Sequence, residues 1–459
     1  MKRLTLVIAL TACGSASTPP ASSVPAPAPE TPEIDAFAKA ALDDHKAVGL
    51  AVAVARGDKL LVAKGYGFAD LEHKTPATAD TVFRIGSITK QFTAVAILQL
   101  AERGQLQLSD DLRKYVPEFP AKQKPITLEH LLTHTSGIFN YTSVKDWIEV
   151  GKKPMTRQQL LAMFADQPLE FDPGTRWEYS NSNYYLLGMV IEAVTKRPYA
   201  DVIRDQLLVP AGMRASGYCN DAMPHHAQGY SLKGSEPKPA QPLDLAHPFA
   251  AGSLCATAPD MVAWQRALDT GKLLEPESLE RMRANAKLAD GKPTGYGYGL
   301  FIGELSGHHR IGHGGGINGF TSMLARYPDD DLTIVVLANA EVDTPDKLEQ
   351  KIARLELGVP EPTVKTDQVV AAAERARYVG TYTIEGFGPD AVAVKVFEEG
   401  DALKAQVTGQ PVATLLYQGN RSFRLDLDPD VELMFADGEH APGFTLHQGG
   451  MTIEAKRAQ

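Results

Sequence analysis

The sequence predicts an α+β domain followed by a small all-β unit. Three observations carry this expectation. Two apolar hairpins, one early and one late, bracket a mostly helical middle. Stretches of helical periodicity stop near Leu357. Beyond Tyr378, short strand candidates follow one another with tight turns and no long helix between them. The first unit therefore reads as an antiparallel sheet flanked by terminal helices, and the second as a small barrel or sandwich.

The chain opens M-K-R, then an apolar run, then L-T-A-C ending at Cys13. A short basic stretch before about ten apolar residues reads as a secretory signal, too short to anchor across a bilayer. Leu10-Thr11-Ala12-Cys13 resembles a bacterial lipobox. That resemblance implies removal of residues 1–12 and lipidation of Cys13. Gly14, not Asp, follows the cysteine, which by the same resemblance implies export to the outer membrane of a Gram-negative-type envelope, facing the periplasm. Residues 13–33 are rich in Pro, Ala and Ser, build no core, and read as a tether.

Residues 34–47 then show a helical period through Ile34, Phe37, Ala41 and Leu42. Two apolar runs flank Gly57-Asp58, a hairpin turn. Residues 87–103 are expected as a helix with Ile88, Phe92, Val95 and Leu98 on one side and Gly104 as its left-handed terminator. Thr127 is placed to cap a short helix through Leu132. Further helices are expected at 184–195 and 200–208, and irregular chain at 217–250. F-T-S-M-L-A-R and L-T-I-V-V-L-A-N form a second hairpin around Tyr327–Asp331, and Thr344-Pro345 opens a helix to about Leu357, with Thr344 as its cap and the proline in its first turn. A linker is expected at 358–374. Seven strand candidates lie within 375–459, from V-G-T-Y-T-I to G-F-T-L.

Composition narrows the partners. The 459 residues carry a formal net charge of -10, which argues against a nucleic-acid footprint. There are three cysteines. Cys219 and Cys255 can pair in an oxidising compartment or stay as separate buried thiols. No CxxC or HExxH occurs, so a metal centre has no support in the sequence. No cofactor is required by anything in the chain, and the oligomeric state is left open.

Three short segments carry chemistry. Ser87-Ile88-Thr89-Lys90 stands at a helix start, and the i, i+3 spacing puts a hydroxyl and an amine on one face. A serine needs a neighbouring base to attack a carbonyl, and a lysine of lowered pKa can be that base. Tyr179-Ser180-Asn181 adds a phenol that can move a proton and an amide that can hold the lysine or a substrate. His313-Gly314-Gly315-Gly316 precedes a strand, and its glycines let a ligand lie against backbone N–H groups. Each segment alone is a weak signal.

Together, in this order, they resemble the family of class C β-lactamases, D-Ala-D-Ala carboxypeptidases and related family VIII-type esterases. F-R-I-G-S-I-T-K-Q-F-T-A, L-L-T-H-T-S-G, F-D-P-G-T-R-W-E-Y-S-N-S-N-Y-Y-L-L-G and G-H-G-G-G carry the resemblance, across roughly residues 35–357. It implies a β-lactamase/transpeptidase-like catalytic domain at 34–357, and the trailing strands resemble the lipocalin-like barrel appended to some relatives. It also implies roles. Ser87 is acylated, Lys90 keeps the site poised, Tyr179 activates Ser87 and protonates the leaving group, and Asn181 positions Lys90 and a substrate amide. The N–H groups of Ser87 and Gly316 form the oxyanion hole, in the glycine segment His313–Gly316 with Gly315.

One departure bears on substrate. Where relatives often carry Lys-Thr-Gly to grip a carboxylate, this chain has His313 and Gly314. Histidine is only partly charged near neutrality, and Gly314 brings no hydroxyl. The expectation is therefore a serine hydrolase of small esters or D-residue peptides and amides, peptidoglycan-derived ones included, anchored to a membrane by lipid. The alternative is a penicillin-binding sensor that acylates and turns over poorly, or a weak β-lactamase.

Overall fold

The computed structural model describes residues 31–43, 47–220, 223–232, 236–366, 368–384, 392–407, 410–448 and 451–458. The signal, Cys13 and most of the tether lie outside the described residues.

The first unit is built on a seven-stranded antiparallel sheet. Gly49–Arg56 and Lys59–Asp70 form the early hairpin around Gly57, whose φ is +55°. Phe320–Tyr327 and Leu332–Ala338 form the late one. The late hairpin pairs with the early one through Leu50↔Ala338 to Arg56↔Leu332. Gly49–Ala55 and Leu332–Ala338 are buried on both faces, so these strands read as continuous apolar runs. Pro32–Asp43 and Thr344–Leu357 cover one face. The helical insertion covers the other, in the larger core around Phe92, Tyr184, Trp264 and Leu324.

Several elements differ from their sequence outlines. The helix expected from residue 87 begins at Thr89, after a single 3-10 turn at Gly86–Ile88. It is buried on every side from Thr89 to Leu100, Lys90, Gln91 and Gln99 included, because it runs between sheet and insertion. The helix expected from 184 starts earlier, at Asn181. That expected over 200–208 is Tyr199–Ile203 followed by a π turn at Arg204–Leu208. Thr344 is the first residue of its helix, not its cap; Asp343 precedes it and makes no side-chain capping bond. Thr127 does cap Leu128–Leu132, in a reciprocal box with His130.

Cys219 and Cys255 form a disulfide, closing a span of 36 residues. It ties Gly217–Tyr218 to Leu254–Ala256, a small sheet whose other edge is Phe83–Arg84, just before the serine.

The C-terminal unit is a closed barrel of eight antiparallel strands, not seven. The additional strand, Met451–Arg457, pairs with Gly443–Gln448 and with Gly380–Ile384 to close it. Its interior holds Tyr382, Phe423, Phe435 and Phe444, and the helix Ala372–Tyr378 packs on it through Tyr378. Arg354 pairs with Asp430 at 2.8 Å across the junction with the first unit. The closing strand also lines a cleft with Trp177 and Phe301, through Thr452 to Glu454 and Lys456.

Candidate active site

Ser87 sits on the 3-10 turn that launches the buried helix, and Lys90 follows one turn later. The Lys90 amine lies 3.1 Å from Ser87 Oγ, 2.9 Å from Asn181 Oδ1 and 2.8 Å from the Ala251 carbonyl oxygen. Lys90 is fully buried, and desolvation pushes its pKa well below the ordinary lysine value. Hydrogen-bond counting then becomes informative. The Ala251 carbonyl and the Asn181 amide oxygen accept only. A neutral amine has two protons to give them, which leaves its lone pair facing the Ser87 hydroxyl.

Asn181 opens its helix and is held at three points. Its N–H donates to Asn140 Oδ1 at 3.1 Å, its Nδ2 donates to Thr142 Oγ1 at 3.2 Å, and its Oδ1 accepts from Lys90. Those partners fix which end of the amide faces the lysine.

Tyr179 stands on the extended segment just before that helix. Its ring lies 4.8 Å from the Lys90 amine. Its hydroxyl is buried and has no hydrogen-bond partner of standard geometry among the described residues. Burial pushes its pKa up, and the nearby Ser87 hydroxyl opposes that rise. The segment is braced by His134, from the quoted L-L-T-H-T-S-G stretch, which the sequence reading left without a role. The Glu178 N–H donates to the His134 carbonyl at 2.9 Å, the Ser180 N–H donates to His134 Nδ1 at 3.2 Å, and the His134 ring lies 4.4 Å from that of Tyr179.

The glycines of the third segment have separate reasons. A Cβ on Gly315 would stand 2.0 Å from the Ile85 carbonyl oxygen, so only glycine fits where the strand crosses the serine turn. A Cβ on Gly316 would meet nothing within 4 Å. That open face is available to a ligand. A Cβ on Gly314 would make only ordinary contacts, the nearest at 3.5 Å with Met323. Gly86 was not singled out in the sequence. It has φ +51°, and a Cβ there would lie 2.9 Å from the Gly316 nitrogen. Its missing side chain is what lets the serine turn approach the glycine strand.

His313 is buried, with burial and the nearby Lys90 pushing its pKa down to about 3. It therefore carries no charge near neutrality, a stronger restriction than the partial charge expected of a histidine. The structure thus brings Ser87, Lys90, Tyr179, Asn181 and the His313–Gly316 strand into one place. Among the described residues no cluster of His, Cys, Asp and Glu could hold a metal.

A hydroxyl, a buried amine, a buried phenol and a glycine strand with one open face are parts that a serine acyl-transfer site uses. The chain belongs to the Beta-lactamase family, whose match spans residues 34–358. It is homologous to serine hydrolases of the penicillin-recognising and amidohydrolase superfamily. A penicillin-binding protein of Bacillus subtilis (strain 168) is 29% identical over 446 residues, covering 91% of this chain and 96% of that one. The D-stereospecific amidohydrolase from Streptomyces sp. superposes with a TM-score of 0.63 at 29% identity, covering 72% of this chain and 100% of that one. The octameric penicillin-binding protein homologue from Pyrococcus abyssi shares the fold over 92% of this chain and 99% of that one, with a TM-score of 0.66 and 24% identity.

Proposed function

We propose that this protein is a serine hydrolase that forms an acyl-enzyme on Ser87 with small, uncharged esters or D-residue amides. The observation that carries the reading is the Lys90 amine, buried and 3.1 Å from Ser87 Oγ. Neutral Lys90 takes the Ser87 proton as Oγ bonds to the substrate carbonyl. The carbonyl oxygen becomes an oxyanion between the N–H groups of Ser87 and Gly316, where one such donor is worth about 3 kcal/mol. Tyr179 gives its proton to the leaving alcohol or amine and recovers one from Lys90. Water then attacks the ester on Ser87, losing its proton to the same pair, which returns it to Ser87 Oγ as the acyl group leaves. This assigns the first proton transfer to Lys90 rather than to Tyr179, because burial lowers the Lys90 pKa and raises that of Tyr179.

The substrate class follows from His313 and Gly314. Burying a substrate carboxylate is costly without a paired charge or hydrogen bonds. His313 is neutral with both ring nitrogens bonded within the protein, and Gly314 has no side chain, so neither offers a charge or a free side-chain hydrogen bond. An uncharged ester avoids this cost, and the Streptomyces amidohydrolase makes D-residue amides the second substrate class to test. The similarity to a penicillin-binding protein favours one other reading, a protein that acylates and releases slowly. In cells the reading places the protein on a membrane through Cys13, facing the periplasm.

Parallel kinetics on p-nitrophenyl esters, D-aminoacyl amides and nitrocefin test the proposal. Turnover of the uncharged substrates with slow nitrocefin hydrolysis is expected. Efficient nitrocefin turnover without esterase or amidase activity would contradict the substrate class. A stable Ser87 adduct without turnover of any substrate would favour the slow-release reading.

A further inference from the structure

The two ring nitrogens of His313 have different partners. Nδ1 lies 2.5 Å from the Gly314 carbonyl oxygen, and Nε2 lies 3.0 Å from Tyr296 Oη. A carbonyl oxygen only accepts, so Nδ1 carries the ring proton. The ring is neutral, so Nε2 is bare and the Tyr296 hydroxyl donates to it. Tyr296 is fully buried. Its neighbour Tyr184 spends its own proton on the Leu132 carbonyl at 2.8 Å, and its phenol oxygen is a weaker acceptor for the Tyr296 proton than the bare imidazole nitrogen. Phe301 and Tyr179 pack around the imidazole with ring centroids 4.9 Å and 6.0 Å away.

Along an extended strand, residues two apart present their backbone groups to the same edge. Gly314 and Gly316 are such a pair within His308–Ile317. We propose that Tyr296 is a positioning residue: its hydroxyl fixes the His313 tautomer, and His313, through the Gly314 carbonyl, holds the strand edge that presents the Gly316 N–H. His313 is thereby spent on the protein's own backbone, and a substrate meets only glycine backbone at this edge. The proposal rests on the reading of Gly316 as an oxyanion donor.

The test is NMR of protein carrying isotope-labelled histidine, with His313→Asn used to assign the His313 signals, together with ester kinetics. In the wild type, His313 is expected as the Nδ1–H tautomer with no titration across neutral pH. Tyr296→Phe is expected to mix the tautomers and to lower kcat by about tenfold to a hundredfold, the scale of a displaced catalytic group, with KM little changed. An asparagine amide can donate to the Gly314 carbonyl without help from a phenol. Tyr296→Phe is therefore expected to cost nothing further in a His313→Asn background. An Nε2–H tautomer in the wild type, or equal losses from Tyr296→Phe in both backgrounds, would overturn the proposal. The tautomer is read on the wild-type protein. It is also read without activity, so its failure is distinct from failure of the hydrolase reading, which appears as absence of Ser87 labelling.

Discussion

Gly86 and Gly316 touch backbone to backbone: a Cβ on Gly86 would lie 2.9 Å from the Gly316 nitrogen and 3.1 Å from its carbonyl carbon and oxygen. The contact joins the turn carrying Ser87 to the strand carrying Gly316, the second proposed oxyanion donor. Gly86→Ala adds both a clash at that donor and the cost of a left-handed alanine, about 1 kcal/mol. Ester kinetics are expected to show kcat reduced about 100-fold, the cost of losing one oxyanion donor, with a thermal midpoint lowered by only a few degrees. Gly316→Ala, whose Cβ meets open space, is expected to keep most of its activity toward small esters. Equal losses in the two variants would show that the approach at Gly86 is not what matters.

Acid stability should register His313. Its pKa is pushed down to about 3 by burial and Lys90, below the ordinary histidine value of 6.5. The unfolded state therefore binds more protons between those values, and stability falls as pH drops through about 6.5 toward 3. Between about pH 7.5 and pH 5 this one group costs about 2 kcal/mol. Urea unfolding at both pH values is expected to show that loss shrinking by about 2 kcal/mol in His313→Asn. An unchanged pH slope would mean that His313 is not buried neutral.

The disulfide supports the floor of the site. The Leu254 N–H donates to Thr89 Oγ1 at 3.1 Å, and the Leu254 carbonyl accepts from the Ile85 N–H at 3.0 Å, one residue from Cys255. Opening a cross-link that spans 36 residues costs about 3–4 kcal/mol. Cys219→Ala with Cys255→Ala is expected to lower the unfolding free energy by that order in urea titrations, while Ser87 labelling at room temperature persists. Loss of labelling in a folded double variant would show that the bridge sets the catalytic geometry.

Much of this architecture was legible because its signals are local. The hairpins at Gly57 and Tyr327–Asp331 have apolar runs and turn residues in the chain itself. The order of the serine, tyrosine and glycine segments also survives in the text. What was missed depends on long-range packing. The acceptor that completes the Lys90 site is the Ala251 carbonyl, a backbone atom with no residue signature. Gly86 matters only because Gly316, distant in sequence, folds against it. The closing barrel strand Met451–Arg457 escaped notice because its T-I-E-A-K-R text is half charged. Glu454 and Lys456 lie exposed while Ala455 turns inward. Pairing of Cys219 with Cys255 follows from the small sheet Gly217–Tyr218 and Leu254–Ala256, which spacing alone does not reveal.

Acylation of Ser87 is proposed to depend on a neutral Lys90 that takes its proton. The most direct measurement is the rate of fluorophosphonate labelling, followed by mass spectrometry of the intact protein and its peptides, across a pH series. In the wild type a single adduct on Ser87 is expected, with a rate that climbs with pH through a midpoint well below the ordinary lysine range, as Lys90 loses its proton. Lys90→Met is expected to slow labelling at least 100-fold and to remove that climb, the scale of lost general-base catalysis. An adduct on another residue, or Lys90→Met labelling at the wild-type rate with the wild-type pH profile, would contradict the account.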